Sequence, residues 1–196
     1  MKKYVAEGLG TFALAFIVVL SLGGQFPVPT PILAGLSLGL MVYMVGGVSG
    51  SHINPAVTLG LWSIKVIGAK VAAGYIVAQI AGAALALWIA SMVGVAVPSA
   101  QGSFDLMIFG AEFVGNFFFA MGIASVVFKK THEAVSGIVV GASLFFGIAF
   151  AALIGSSGIL NPAVAITLSS FTLEYILGPI LGAIAGFHAY KALVAK

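Results

Sequence analysis

Asn54-Pro55-Ala56-Val57 opens a short apolar run over 55–62, and the same four residues open another over 162–169 as Asn161-Pro162-Ala163-Val164. Asparagine accepts hydrogen bonds from the first free amides of a helix, and proline at the first helical position has no amide to leave unsatisfied. Each run therefore reads as a helix, yet neither approaches the ~20 apolar residues that cross a bilayer. A single Asn-Pro is an ordinary turn signal. Two of them, each leading into Ala-Val and a short apolar run, read as a matched pair of half-helices that enter a membrane and stop partway. Their non-helical leads, 48–53 and 155–160, can lie at membrane depth only where protein buries them or they line a water-filled cavity.

The flanking sequence supplies the membrane. Of 196 residues, 61% are hydrophobic and 7% charged, against about 25% charged in a soluble domain. Long apolar stretches fall near 4–23, 31–47, 67–94, 107–128, 135–154 and 173–193. A soluble enzyme and a single-anchor protein are both excluded. The reading is an all-α membrane protein with six transmembrane helices and two re-entrant half-helices. There are no cysteines, hence no disulfide framework and no thiolate ligand.

Charge orients the chain. All eight basic residues are lysines, and arginine is absent. Lys2 and Lys3 precede span 1, Lys65 and Lys70 separate spans 2 and 3, Lys129 and Lys130 separate spans 4 and 5, and Lys191 and Lys196 end the chain. With a cytoplasmic N-terminus every lysine is cytoplasmic, and the opposite connections hold only Asp105. Lysines scattered in this way set topology and make no nucleic-acid footprint. The first stretch carries Glu7 and no small-x-small cleavage pattern, so it is kept as span 1 and not as a signal peptide. The expected location is the plasma or inner cell membrane, multi-pass, with both termini cytoplasmic.

The order of motifs repeats. Ala6-Glu7-x-x-Gly10-Thr11-Phe12 returns as Ala111-Glu112-x-x-Gly115-Asn116-Phe117, the Asn-Pro-Ala-Val pair follows, and Tyr75-Ile76, Ile80 and Gly82-Ala83 match Tyr175-Ile176, Ile180 and Gly182-Ala183, at offsets of 105, 107 and 100 residues. Three spans per half is odd, so the halves insert in opposite senses about a pseudo-two-fold axis in the membrane plane. One channel domain over 1–196 thus contains two inverted repeats, about 1–97 and 104–196. The half-helices then enter from opposite sides and meet near the midplane.

Two helix N-termini aimed at one point place about half a positive charge each there. The amide donors of Asn54 and Asn161 act at the same place, and carbonyls of 48–53 and 155–160 offer acceptors on either side. A cation is repelled by that field; a small neutral hydrogen-bonding molecule is held and passed on.

These motifs resemble the aquaporin, or major intrinsic protein, family. The resemblance covers nearly the whole chain and includes Ser49-Gly50-Ser51-His52-Ile53-Asn54-Pro55-Ala56-Val57-Thr58, Ala78-Gln79, and Gly178-Pro179-Ile180-Leu181-Gly182-Ala183. It implies a right-handed six-helix bundle, one pore per subunit, a homotetramer, and exclusion of protons by half-helix dipoles, for which this family is a standing example. It implies a pore midplane at Asn54, Pro55, Ala56, Asn161, Pro162 and Ala163, with Glu7 and Glu112 bracing the re-entrant loops and His52 in a hydrogen-bonding role. It also exposes a departure. Most members follow the second motif with an arginine, where this chain has Val164. The other three filter positions fall on Ala34, Ala149 and Gly158, which predicts a wide filter of small apolar side chains without donors.

His132, between Lys130 and Glu133, reads as a solvated loop histidine, with pH sensing as the alternative. Gly35, Gly39, Gly74, Gly82, Gly115, Gly141 and Gly182 read as sites of close helix crossing. The function that follows is a passive channel for water and small uncharged solutes such as glycerol, urea, ammonia, peroxide or metalloid hydroxides, surrounded by membrane lipid, with no cofactor, no metal and no nucleic-acid partner. An ion-permeable relative is the alternative, and a secondary transporter a more distant one, because inverted repeats with broken helices occur there too. An enzyme is excluded by the lack of a ligand cluster or of a nucleophile beside a base.

Overall fold

The computed structural model describes residues 1–24, 26–96 and 104–195. Among these the chain forms α1 (Lys2–Gly23), α2 (Thr30–Ser49), α3 (Pro55–Ser63), α4 (Ala69–Met92), α5 (Leu106–Val127), α6 (Ser136–Ile154), α7 (Pro162–Thr167) and α8 (Leu173–Val194), with one 3₁₀ turn at Glu133–Val135 and no strand. Six of them, all but α3 and α7, are long and apolar enough to cross a membrane. With 9 and 6 residues, α3 and α7 are about 14 Å and 9 Å long at 1.5 Å per residue, well short of a ~30 Å hydrocarbon core. The second half-helix is shorter than the 162–169 expected from its apolar run. Ser169 turns left-handed at φ 49, and the Ser170 amide donates to the Ala165 carbonyl at 2.9 Å, closing the helix early.

Six crossings put both ends of the chain on one side of the membrane, the terminal side, together with Lys65, Lys70, Lys129 and Lys130. Asp105, whose side chain caps α5 by accepting from the Met107 and Ile108 amides, and Glu174 lie on the opposite, distal side. The junction between the repeats at 97–104 falls largely on residues outside those described, as does Lys196.

The helix pairings obey the repeat. α1 packs on α4 and α2, as α5 packs on α8 and α6; α3 rests on α8, as α7 rests on α4; and α2 crosses α6 between the halves. Lipid tails are as apolar as leucine, so such crossings are held by close packing and not by water exclusion. At the α2–α6 crossing, Gly39 faces the Gly137 carbonyl and Gly35 faces the Gly141 carbonyl so closely that an added methyl would sit 2.6 Å and 2.7 Å from those oxygens. Each half-helix has its own anchor. Gly60 of α3 makes room for the Phe187 ring of α8, and Thr167 of α7 donates to the Ala83 carbonyl of α4 at 2.9 Å.

The α2–α6 crossing can be tested by adding one methyl group. Intrinsic helix propensity favours alanine over glycine by about 1 kcal/mol, so Gly39→Ala would stabilise a helix that met nothing. Here we expect a lower melting temperature for the detergent-purified protein, because backbone stands where the methyl must go. A rise would mean that the crossing is looser than described.

Candidate functional site

The site begins with two carboxylates that have no access to solvent. Glu7 on α1 and Glu112 on α5 are both 0% exposed. Glu7 Oε1 accepts from the Ser49 hydroxyl (2.6 Å) and the His52 amide (2.9 Å), while Oε2 accepts from the Ile53 amide and the Gln79 side-chain amide, both at 2.7 Å. Glu112 repeats the pattern with the Ser156 hydroxyl, the Ile159 amide (3.0 Å) and the Leu160 amide (2.7 Å). Ser49 and Ser156 in turn accept from the amides of Ser51 and Gly158. In each loop three consecutive N–H groups are thus drawn to the glutamate side.

That grip bends the backbone. Gly50 and Gly155 leave α2 and α6 in left-handed geometry at φ 89 and φ 111. Beyond them, left-handed residues recur three and one positions before each asparagine: Ser51 (φ 52) and Ile53 (φ 54) in one loop, Gly158 (φ 66) and Leu160 (φ 54) in the other. A β-branched residue such as Ile53 seldom adopts this conformation, which costs about 1–3 kcal/mol and persists only because the surroundings enforce it. With the amides drawn to the glutamates, the last carbonyl of each loop, that of Ile53 and of Leu160, faces the opposite repeat, where it meets an asparagine.

The asparagines complete the midplane. Asn54 Oδ1 accepts from the Ala56 amide at 2.8 Å and Asn161 Oδ1 from the Ala163 amide at 3.0 Å, capping α3 and α7. Their Nδ2 groups cross over. Asn54 donates to the Leu160 carbonyl at 2.9 Å, and Asn161 to the Ile53 carbonyl at 3.0 Å. An amide NH₂ carries two donors, so each asparagine keeps one N–H for a passing molecule. Pro55, Ala56, Pro162 and Ala163 form the first turns of α3 and α7 behind these groups.

A cavity of about 380 Å³ runs from the distal surface to this point. Thr30, Ser157 and Ser170 stand at its mouth, Leu14, Val18, Ala34 and Val164 along its wall, and Asn54, Asn161, His52 and Phe119 at its floor. Three of the four filter positions read from the sequence, Ala34, Gly158 and Val164, line it. At the fourth, the residue lining the cavity is Ile148, the neighbour of Ala149. One residue on a helix is a turn of about 100°, enough to move Ala149 off this face of α6. The ring is still apolar and without side-chain donors, but with Ile148 beside Val164 it contains two branched side chains and is narrower than alanine in place of the isoleucine would make it.

His52 belongs both to the loop scaffold and to the wall. Its amide binds Glu7, its Nδ1 lies 3.2 Å from the Thr58 hydroxyl, and Tyr75 meets its ring edge-on at 5.0 Å. Thr58 also accepts from Gln79 at 2.9 Å, so Gln79 bridges Glu7 and the His52–Thr58 pair. Ser49, Ser156 and Thr58 were not singled out from the sequence, although the two serines sit at the same 107-residue offset as the asparagines. His132 lies far from the cavity and caps the 3₁₀ turn by accepting from the Ala134 amide.

The major intrinsic protein family model matches residues 1–190. The chain belongs to this family. Curated relatives include aquaporin AqpM of Methanothermobacter marburgensis, 30% identical with 100% of this chain and 98% of the relative covered, and glycerol uptake facilitator protein-like 6 of Lactiplantibacillus plantarum, 36% identical with 94% of each covered. The aquaglyceroporin of Plasmodium falciparum shares the fold at a TM-score of 0.79 and 18% identity, over 99% of this chain and 96% of that one. The protein is accordingly a membrane channel for water and small solutes, and not an enzyme.

The glutamate grip makes a ranked prediction. In Glu7→Gln the new NH₂ must face the backbone amide of His52 or of Ile53, an unsatisfied buried contact worth about 1–3 kcal/mol or more. Glu112→Gln meets the same problem with one fewer donor around it. We expect both variants to melt below wild type, Glu7→Gln the lower, while the folded fraction keeps its solute profile in vesicles. A stable Glu7→Gln protein with altered selectivity would place this residue in the pore instead.

Proposed function

We propose that this channel passes water and small uncharged solutes passively through a single pore per chain, with the midplane as its barrier to ions. The observation that carries the reading is the pair of asparagine amides, each tied by one N–H to the opposite loop and each keeping one for the permeant. Fixed donors flanked by carbonyl acceptors suit a molecule that both donates and accepts. They offer a cation no charged ligand, and the N-terminus of α3 opposes it. The ring at Ala34, Ile148, Gly158 and Val164 adds no charge, so glycerol-sized polyols are accepted alongside water. Ion leakage is the second reading, favoured only by the absence of a cationic side chain at Val164. Relatives named for water and for glycerol uptake support the solute class.

We further propose that both termini are cytoplasmic, since this places every lysine on the cytoplasmic side in accord with the positive-inside rule, and that copies associate as homotetramers in the cell membrane. Terminal tags should resist a membrane-impermeant label on intact cells; labelling from outside would invert the orientation.

Stopped-flow light scattering of proteoliposomes tests the solute reading. Water and glycerol fluxes should rise linearly with gradient, without saturation or coupling to an ion gradient. Val164→Arg inserts a fixed charge and a planar donor fork into the distal ring. We expect it to lower the ratio of glycerol to water permeability and to abolish any cation leak. A wild-type protein that conducts water but excludes glycerol would refute the proposed solute range.

A further inference from the structure

The inverted repeat supplies an internal ruler for the pore. In α1 and α5 the offset is 105, set by Glu7 and Glu112, so Leu14 and Val18 on the distal side correspond to Phe119 and Ile123 on the terminal side. In α2 and α6, Gly35-Leu36-Ser37-Leu38 aligns with Gly141-Ala142-Ser143-Leu144 at an offset of 106, pairing Ala34 with Val140 and Ile148 with Val42. In the loops and half-helices the offset is 107, pairing Gly158 with Ser51 and Val164 with Val57. The structure supports this register. Leu38 and Leu144 both line the cavity, and the left-handed turn at Gly158 recurs at Ser51.

Read across the axis, the two halves differ in bulk. Leucine becomes phenylalanine, valine becomes isoleucine, alanine becomes valine and glycine becomes serine on passing to the terminal side. Val164 and Val57 match, and only Ile148 has a smaller mate, Val42, by one carbon. The open space follows the same division. The distal members Leu14, Val18, Ala34, Ile148, Gly158 and Val164 all line the cavity, whereas of their terminal-side mates only Phe119 does, at its floor. Val57 has no exposed surface, while Val164 retains 4%.

Building on the channel reading above, we propose that size selection occurs on the terminal side of the midplane, at an apolar neck formed by Phe119, Ile123, Val140 and Val57, and not at the distal ring around Val164. A solute that has entered the distal cavity still has its full width when it reaches the asparagines. It must narrow to the neck immediately after leaving them, in a stretch where four apolar side chains leave only the carbonyl edge of the 51–53 loop to replace a hydration shell. Small molecules with few bound waters pass; wider polyols are held back here.

The test is to give the terminal half the residues of the distal half. In proteoliposomes the ratio of glycerol to water permeability should rise about fivefold in Ile123→Val/Val140→Ala, as expected for taking roughly 1 kcal/mol off a barrier. Ile148→Ala, which widens only the distal ring, should raise the ratio by clearly less than the double variant does. An unchanged ratio in the double variant, or an equal rise in Ile148→Ala, would overturn the proposal; wild-type vesicles no more water-permeable than empty ones would instead overturn the channel reading itself. The chain has no cysteine, which permits a second measurement that does not depend on the double variant folding. A membrane-impermeant thiol reagent applied from the distal side should react with Ala34→Cys and block its flux, and should spare Val140→Cys. Equal reaction at the two positions would show that no neck lies between them.

Discussion

Everything at the centre of this channel depends on two carboxylates that cannot reach water. A charge isolated in a lipid-embedded bundle costs several kcal/mol, and a non-helical backbone at the same depth leaves amides that nothing in a bilayer can satisfy. Each problem is the remedy for the other. Glu7 and Glu112 take up the loop amides on one edge of the backbone, and the carbonyls are thereby committed to the other edge. The polar track along the pore is the reverse side of the glutamate grip. The strained φ angles at Ile53 and Leu160 belong to the same arrangement, since they aim the last carbonyl before each asparagine at the amide of the other.

The two repeats solve this problem with unequal means. Glu7 has a side-chain amide among its donors, from Gln79, which also reaches Thr58. At the repeat offsets, Gln79 corresponds to Pro179 and Thr58 to Ala165, so Glu112 has neither. Asn116, in the place of Thr11, instead donates to the Pro179 carbonyl at 2.6 Å and ties α5 to α8 at the point where proline interrupts the helix ladder. The loop carrying His52 is therefore held from three helices, while the loop carrying Gly158 depends more on its glutamate. Symmetry sets the architecture, and departures from it set how firmly each re-entrant loop is held.

Most of this was legible because it was written twice. A lone Asn-Pro is a turn signal, but its recurrence with a glutamate and two glycines at parallel offsets defined both half-helices and their braces. The filter was less legible. Ala34, Gly158 and Val164 could be counted from nearby motifs, whereas Ile148 lies across a loop whose helix cap, Gly155, stands two residues earlier relative to its asparagine than Gly50 does to Asn54. A count through such a difference keeps the helix and leaves its rotational phase open. The serines were hidden for another reason: a hydroxyl beside a glycine turn is too common to mark a loop anchor until the carboxylate it meets is known. The early end of α7 depended on a left-handed serine, for which residue type gives almost no warning.

The crossed asparagine bonds also carry a meaning in time. The side-chain amide of Asn54 finds its partner on a residue 106 positions further along the chain, and the Ile53 carbonyl waits for a donor 108 positions away. At ribosomal speeds of about 5–20 residues per second, several seconds or more separate synthesis of the Ile53 carbonyl from synthesis of its donor. The first repeat holds no asparagine that makes this bond in the finished structure, so the pairing waits for the second. The crossed pair becomes possible only once residue 161 has been made, and a chain truncated before residue 160 would contain a complete first half and neither crossed bond.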